Sequence, residues 1–133
     1  MASFHRLAAL ALLALAATAA AAGIYDKPWA IVETADESAV RKEFPVGITR
    51  IDGKSTRNAR ESDPIEPGKH VVTVRFTTAR VTQSLAEEQR DLQMDLEACT
   101  RYRIAAQRTE GTKWEPKIYS EPIGECKKKF AAK

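Results

Sequence analysis

One stretch of the chain, HVVTVRF, alternates apolar and polar residues with a period of two. Only an extended strand turns that period into one continuous apolar face, so the stretch predicts a half-buried β-strand. Val72, Val74 and Phe76 are predicted to face a core, and Thr73 and Arg75 to face solvent. The chain must therefore supply a second layer to cover this face.

A second alternating stretch is open to two interpretations. Leu92, Met94 and Leu96 alternate with polar residues in LQMDLEA, and this period favours a strand. Residues 85–89 would then form a loop or one helical turn. The helical alternative stays open, because Ser84 has a glutamate three positions later, as in a capping box.

β-branched and aromatic runs predict further strands elsewhere in the chain. They lie at residues 28–34, 46–52, 102–106 and 114–123, and the last two form a hairpin that turns at Gly111. Pro116 and Pro122 mark the last strand as a sheet edge, because proline has no amide hydrogen for a ladder. Residues 35–44 are expected to form one helical turn or a short helix that Pro45 ends.

A polar segment at residues 54–66, called the excursion below, separates two predicted strands. The turn signals Asp52-Gly53 and Pro67-Gly68 flank it, and it has no apolar period apart from Ile65. We expect it to cross a sheet edge in solvent and to hold at most a short edge strand. Many short strands joined by turns predict an all-β fold, a small antiparallel β-sandwich.

Residues 1–22 have the layout of a secretory signal peptide. A short start with one arginine precedes an apolar run, and Ala20 and Ala22 are placed for cleavage. The run is shorter than the roughly 20 residues that span a bilayer, although an uncleaved membrane anchor is the alternative. We expect a sandwich domain at 23–126, a basic C-terminal tail at 127–133, and a periplasmic or secreted mature chain without a transmembrane segment.

Cys99 and Cys126 both lie in the part expected to be exported, where an even cysteine count indicates a disulfide. A hairpin that turns at Gly111 places Cys99 opposite about residue 123, so both thiols fall at the same end of the hairpin. We predict that they are bonded, which would stabilise the fold by roughly 3–4 kcal/mol on the chain-entropy estimate. Two separate buried thiols are the alternative.

The segment IDGK…IEPGKHVVTVRF resembles PEGA-like domains of exported bacterial proteins, in which Asp-Gly ends one strand and a Gly-x-His turn leads into an alternating strand. The matching residues are Ile51, Asp52, Gly53, Pro67, Gly68, His70, Val72 and Val74. The later LEACTRYRIAAQ and KWEPKIYSEPIGEC are similar to small uncharacterised secreted proteins of proteobacteria. The resemblance implies a β-sandwich and no particular activity. The longer excursion departs from the PEGA pattern.

Groups that carry catalysis or bind metals are sparse in the sequence. His70 is the one histidine after residue 22, and zinc sites and serine triads need further partners. Its expected role is to hydrogen-bond the turn before its strand. Residues 52–63 carry Lys54 and Thr56 where a calcium loop needs acids. We predict no catalytic residues, no cofactor and no metal.

Basic side chains on one side of the domain form a candidate surface for an anionic ligand. The candidates are Arg57, Arg60, Lys69 and Arg75. Scattered solubilising charge is the alternative. Trp29, Tyr102 and Trp114 are expected in the core or at its rim. The alternative is a sugar-stacking platform formed by these three residues together with Tyr25 and Tyr119.

These features predict an exported, non-catalytic binding or structural module of the bacterial envelope. Its expected contact is another envelope protein, made through a strand edge or through the excursion. The formal net charge of +3 is too mild to indicate a nucleic-acid binder. A binder of anionic or glycan ligands and a small hydrolase that uses His70 are the alternatives.

Overall fold

The computed structural model describes residues 23–81, 84–111 and 113–131, so the expected signal peptide lies outside the described residues. Within them the chain forms eight strands and one short helix. The elements are β1 (Ala30–Thr34), β2 (Glu43–Pro45), β3 (Gly47–Ile51), β4 (Lys54–Ser55), β5 (Gly68–Val81), β6 (Ser84–Leu96), β7 (Thr100–Arg108), β8 (Trp114–Pro122) and α1 (Gly124–Lys129). No helix in these ranges has the length and apolar character needed to cross a bilayer.

The strands form two sheets of four, which confirms the predicted all-β sandwich class. In the first sheet β7 is central, with β8 along one side and with β1 and β2 sharing the other. The second sheet has the order β4-β3-β5-β6. β1 runs parallel to β7, which departs from the antiparallel expectation. The parallel pair is possible because the chain passes through the whole second sheet between these two strands.

The two sheets bury one apolar layer between them. Its largest fully buried side chains are Trp114, Ile48, Leu96, Ile104, Val32, Val72 and Val74. The predicted inward residues Val72, Val74 and Phe76 are confirmed. Thr73 was expected in solvent but is 7% exposed, because β3 and β6 flank it on the outer face and its hydroxyl donates to Asp91 at 2.7 Å.

The predicted turns have the backbone that their glycines permit. Asp52 and Gly53 have φ values of 51° and 78°, the left-handed pair that a two-residue hairpin turn requires. Gly68 and Gly111 also have positive φ. β8 follows the Gly111 turn and pairs with β7 along its whole length, as the hairpin prediction requires.

The prediction of a helical turn or short helix at residues 35–44 is wrong in part. A turn over 39–42 closes between Ser38 and Glu43, whose backbones exchange hydrogen bonds of 2.9 and 3.0 Å. Phe44 and Pro45 then join β2 and pair with Ala106 and Ala105. The chain stays extended here because the open side of β7 beyond β1 accepts a short strand.

The prediction of a loop or helical turn at residues 85–89 is also wrong. β6 begins at Ser84 and pairs with β5 to the end of the hairpin, with one register shift between Thr77 and Ala79. The capping-box spacing is overridden by the long partner strand, which offers a ladder that an isolated helical turn cannot match. The strand preferred for residues 92–98 is confirmed as far as Leu96, where β6 ends.

The predicted disulfide joins Cys99 to Cys126, with an S–S distance of 2.03 Å. Ile123 donates its amide to the carbonyl of Cys99 at 2.8 Å, so the hairpin register was predicted correctly. Part of the basic tail is helical, since Lys127, Lys128 and Lys129 form the last turn of α1.

Candidate functional site

The excursion is anchored to both sheets through its backbone. Ile48 in β3 donates its amide to the Ala59 carbonyl at 2.8 Å, and Thr34 in β1 donates to Arg60 at 2.9 Å. Ala30 and Ile65 exchange two bonds of 2.8 Å. The excursion therefore covers the side of β1 that faces away from β7. It was predicted to cross a sheet edge in solvent, and the structure adds that it closes that edge.

Ser62 is the buried residue that holds the excursion against β1. Its amide donates to the Val32 carbonyl at 2.8 Å, and its hydroxyl oxygen accepts the Val32 amide at 3.0 Å. Ser62 is 7% exposed. The side chains of Arg57, Arg60 and Glu61 point to solvent, so the excursion combines a fixed backbone with exposed charged groups.

His70 links three segments at the start of β5. Its Nδ1 lies 2.6 Å from Asp52 Oδ2 in the hairpin turn, and its Nε2 lies 2.6 Å from the Glu66 carbonyl at the end of the excursion. The other oxygen of Asp52 accepts the Val71 amide at 2.8 Å. Both ring nitrogens face acceptors, which favours the doubly protonated imidazolium. The predicted role of His70, hydrogen bonding to its turn, is confirmed.

The surroundings of His70 and Asp52 shift the pKa values of both residues. Partial burial lowers the pKa of His70, but the hydrogen bonds to Asp52 and to the Glu66 backbone outweigh it and raise the pKa above its ordinary 6.5. The Val71 amide and then His70 hold the pKa of Asp52 below its ordinary 3.8. Near neutral pH the carboxylate is ionised, and the imidazole keeps a proton more readily than a free histidine.

Two surface cavities meet at the His70–Asp52 pair. One, of about 290 Å³, lies over the start of β5 and the end of β6, with Lys69 and Asp95 in its wall. The other, of about 380 Å³, lies along the excursion from Lys54 to Glu66. A ligand in either cavity would contact the pair that fixes the excursion.

The structure does not bring the four candidate basic residues together. Arg57 lies in the excursion and forms two bonds to Asp63, of 2.6 and 3.0 Å, and Arg60 is exposed nearby. Lys69 and Arg75 lie six residues apart on the outer face of β5, about 20 Å at strand spacing. β6 places acids in the same face, since Asp95 pairs with Lys69. The positive charges are therefore divided between two surfaces and interleaved with acids.

Two serines lie in the neighbourhood of His70. Ser55 and Ser62 line the same cavity as His70, but the Ser62 hydroxyl accepts the Val32 amide. Both nitrogens of His70 are already engaged. Across the described ranges, no group of three or more histidine, cysteine or carboxylate side chains could hold a metal ion.

Tyr102 and Trp114 lie in the core between the sheets, and Trp29 is buried in a separate apolar cluster around the disulfide. Trp29, Tyr102 and Trp114 are 6%, 9% and 2% exposed, so these three are not available for sugar stacking, whereas Tyr25 and Tyr119 are exposed. Trp114 also anchors a polar group that the sequence did not reveal. Its indole nitrogen donates to Glu88 at 2.9 Å, and the Arg90 guanidinium lies 4.0 Å above its ring. Comparisons of the chain with the models of known protein families, with curated proteins and with solved structures found no match.

Proposed function

We propose that the protein is an exported, non-catalytic binding or structural module of the bacterial envelope, and that the excursion contacts another envelope protein. The observation that carries this proposal is the fixed backbone of the excursion beneath exposed Arg57, Arg60 and Glu61. Binding residues are commonly placed on loops that a rigid scaffold positions. A loop that is already ordered loses less conformational entropy when a partner binds.

The engagement of His70 supports a non-catalytic role. A general base needs a ring nitrogen that can reach a substrate or nucleophile, and both nitrogens of His70 lie 2.6 Å from acceptors of the protein itself. The raised pKa also favours the protonated form, which cannot act as a base. A hydrolase that uses this histidine would first have to break the contacts that hold the excursion.

Two features support export. The sequence of residues 1–22 has the pattern of a signal peptide. The Cys99–Cys126 disulfide belongs to the kind of bond that persists in oxidising compartments such as the periplasm. The experiment is detection of the processed chain in a periplasmic fraction. Retention of the uncleaved chain in the cytoplasm would contradict this part of the proposal.

The contact surface is tested by exchanging two charges of the excursion. Deleting the excursion would remove the backbone partners of β1 and β3 and disturb the fold, so point changes are preferable. The double variant Arg60→Glu with Glu61→Arg changes only exposed side chains and keeps the net charge. We expect the immobilised variant to lose the envelope protein that the unchanged protein captures, and purified partner to bind at least about tenfold more weakly by calorimetry.

A matched control exchanges charges on α1, outside the excursion. Glu125→Lys with Lys128→Glu alters two exposed residues of α1, again at constant net charge. Binding by this control should equal that of the unchanged protein. Equal binding by the excursion variant would contradict the proposal. Binding that is lost in both variants and collapses as salt rises would instead favour an anionic ligand held by scattered basic groups.

A further inference from the structure

β8 is an edge strand with exposed apolar side chains. Within the described ranges its one strand partner is β7. Ile118 and Tyr119, at its centre, are 45% and 39% exposed. Ile118 lies opposite the fully buried Ile104, so it belongs to the apolar side of the sheet but lies beyond the cover of the second sheet. An edge of this kind can accept a further strand.

The hydrogen bonds at the two ends of β8 show which of its residues face the open side. Ile123 donates its amide to Cys99, and Lys113 accepts the Thr109 amide, so these odd-numbered residues face the β7 side. In a regular antiparallel ladder, every second residue does the same. The even-numbered residues from Trp114 to Pro122 therefore direct their amide and carbonyl groups outward. The Trp114 carbonyl confirms this, because it accepts the Arg90 guanidinium at 2.9 Å.

Proline limits what the open edge can bind. Pro116 and Pro122 both occupy outward positions, where they lose no bond to β7 and offer no amide hydrogen to a partner. Beyond Trp114, the outward amides of β8 are those of Ile118 and Ser120. The edge thus offers two backbone N–H donors, those of Ile118 and Ser120, between two prolines. Residues 116–122 are called the edge segment below.

We propose that this segment pairs with the same segment of a second copy of the chain, antiparallel about a twofold axis at Tyr119. Ile118 then lies opposite the partner's Ser120, and Ser120 lies opposite the partner's Ile118. Each of these pairs can exchange two backbone hydrogen bonds, which gives four in all. Pro116 lies opposite the partner's Pro122, so at both ends of the edge segment neither strand has an amide hydrogen to donate.

The side chains select this register. It places Lys117 opposite the partner's Glu121, and the same pair recurs on the other side of the axis. Odd-numbered residues occupy the positions between the bonded pairs, where side chains on adjacent strands are closest. A shift by two residues in one direction would set Glu115 opposite the partner's Glu121, and a shift in the other direction would leave Lys117 opposite the partner's Ile123.

The outer face of the first sheet carries a row of ion pairs that this lysine would extend. Glu33, Arg103 and Glu121 form a row of alternating charge across three strands, with contacts of 2.7 and 2.8 Å. The row ends on β8 with the acid, and Lys117 forms no ion pair with any described residue. A lysine from the next strand would continue the alternation. Tyr119 leaves space at the axis, because its hydroxyl donates to Glu43 and its ring lies across β7.

The interface is small, so self-association should be weak and should depend on concentration. Sedimentation of the whole protein is expected to show a monomer–dimer equilibrium as the concentration rises towards about 1 mM.

Ile118→Pro should abolish the dimer because it removes an outward donor, while the β7 ladder does not use that amide. Lys117→Glu should also abolish it through repulsion of the partner's Glu121. The double variant Lys117→Glu with Glu121→Lys should restore it.

Cysteine cross-linking tests the register itself. Lys117→Cys and Glu121→Cys proteins should each remain uncross-linked under mild oxidation, but a mixture of the two should form a disulfide dimer. The native Cys99–Cys126 bond is buried and does not compete. Circular dichroism of every variant confirms folding.

A protein that stays monomeric at all these concentrations, with no preferential cross-link in the mixture, would overturn the inference. So would a dimer that survives Ile118→Pro. Neither result bears on the excursion, because the charge exchange at Arg60 and Glu61 lies on a different surface and has its own readout.

Discussion

At the scale of single residues, His70 shows how one side chain fixes a long polar segment. It joins the hairpin turn at Asp52 to the end of the excursion at Glu66 and stands itself at the start of β5. A neutral imidazole has one donor and could satisfy only one of these acceptors, whereas the imidazolium satisfies both. The clamp is therefore strongest when His70 carries a charge.

The clamp predicts a specific pH dependence of stability. Because the folded pKa of His70 is raised, its contribution is fully present below the unfolded pKa of 6.5 and is lost as pH rises through the folded pKa. Because the folded pKa of Asp52 is lowered, its contribution is present above about 3.8 and is lost as pH falls through the folded value. The contribution of this pair to stability should therefore be greatest between about pH 3.8 and pH 6.5.

Denaturant unfolding at a series of pH values measures the effect. The unchanged protein should lose stability as pH rises above 6.5, and His70→Gln should flatten that part of the profile. Asp52→Asn serves as the control, because an amide oxygen can still accept the Val71 amide while the charge is gone. In that variant the pKa of His70, followed by NMR, should decrease. A His70 pKa at or below 6.5 in the unchanged protein would exclude the clamp.

At the scale of elements, the excursion replaces a missing strand. β1 has β7 on one side, and on the other side the excursion supplies isolated bridges at Ile65 and Glu61 in place of a regular ladder. A buried backbone amide needs an acceptor, and the Ser62 hydroxyl provides one for Val32 where a strand carbonyl would otherwise be needed. The polar residues of the excursion therefore do more than face solvent, because Ser62 supplies a hydrogen bond that the fold needs.

Ser62→Ala should therefore destabilise the fold by about 1–3 kcal/mol, because it leaves the buried Val32 amide without its side-chain acceptor. Ser55→Ala is the matched control, since Ser55 is exposed on β4 and should change stability by less than about 0.5 kcal/mol. Urea unfolding of both variants measures the difference. Equal stability would mean that the Ser62 hydroxyl does not hold the excursion.

Local pattern predicted the elements whose burial alternates and missed those that depend on distant partners. At residues 70–76 of β5 the alternation predicted the buried face correctly apart from Thr73, whereas β7 buries Ala105 together with its neighbours Ile104 and Ala106. β2 was missed because Pro45 indicates a helix end in the sequence, while its strand exists only because β7 has an open side. The early part of β6 was missed because its pairing is set by the length of β5, which no residue of β6 itself encodes.

The sequence identified several residues of the site but did not predict how they are arranged in space. His70 was expected to bond its turn, but the second contact to Glu66 depends on where the excursion returns. The basic candidates could be named from the sequence, whereas their separation arises from strand register, which interleaves Asp95 with Lys69. Glu88 and Arg90 were not singled out around Trp114, because only the packing of β6 against β8 brings them together.

At the scale of the whole molecule, a second apolar cluster ties the two ends of the described chain together. It contains Trp29, Ile31, Cys99, Ile123 and Cys126, with Phe130 packed against it. Ile31 alternates with residues of the main core, so this cluster lies on the opposite face of β1. Lys129 adds a bond of 2.6 Å to the Tyr25 carbonyl. α1 is too short to be stable alone, so this cluster and the disulfide hold it in place.

Removing the disulfide should therefore release α1 and weaken the fold. The bond spans a sequence separation of 27, for which the chain-entropy estimate is about 3.5 kcal/mol. We expect Cys99→Ala with Cys126→Ala to lose about this much stability in urea, and reduction of the unchanged protein to produce the same midpoint. Limited proteolysis should cleave the variant first after the lysines at 127–129, while the oxidised protein resists. An unchanged midpoint with intact lysines would mean that the apolar cluster alone secures α1, because the chain constraint would then contribute nothing measurable.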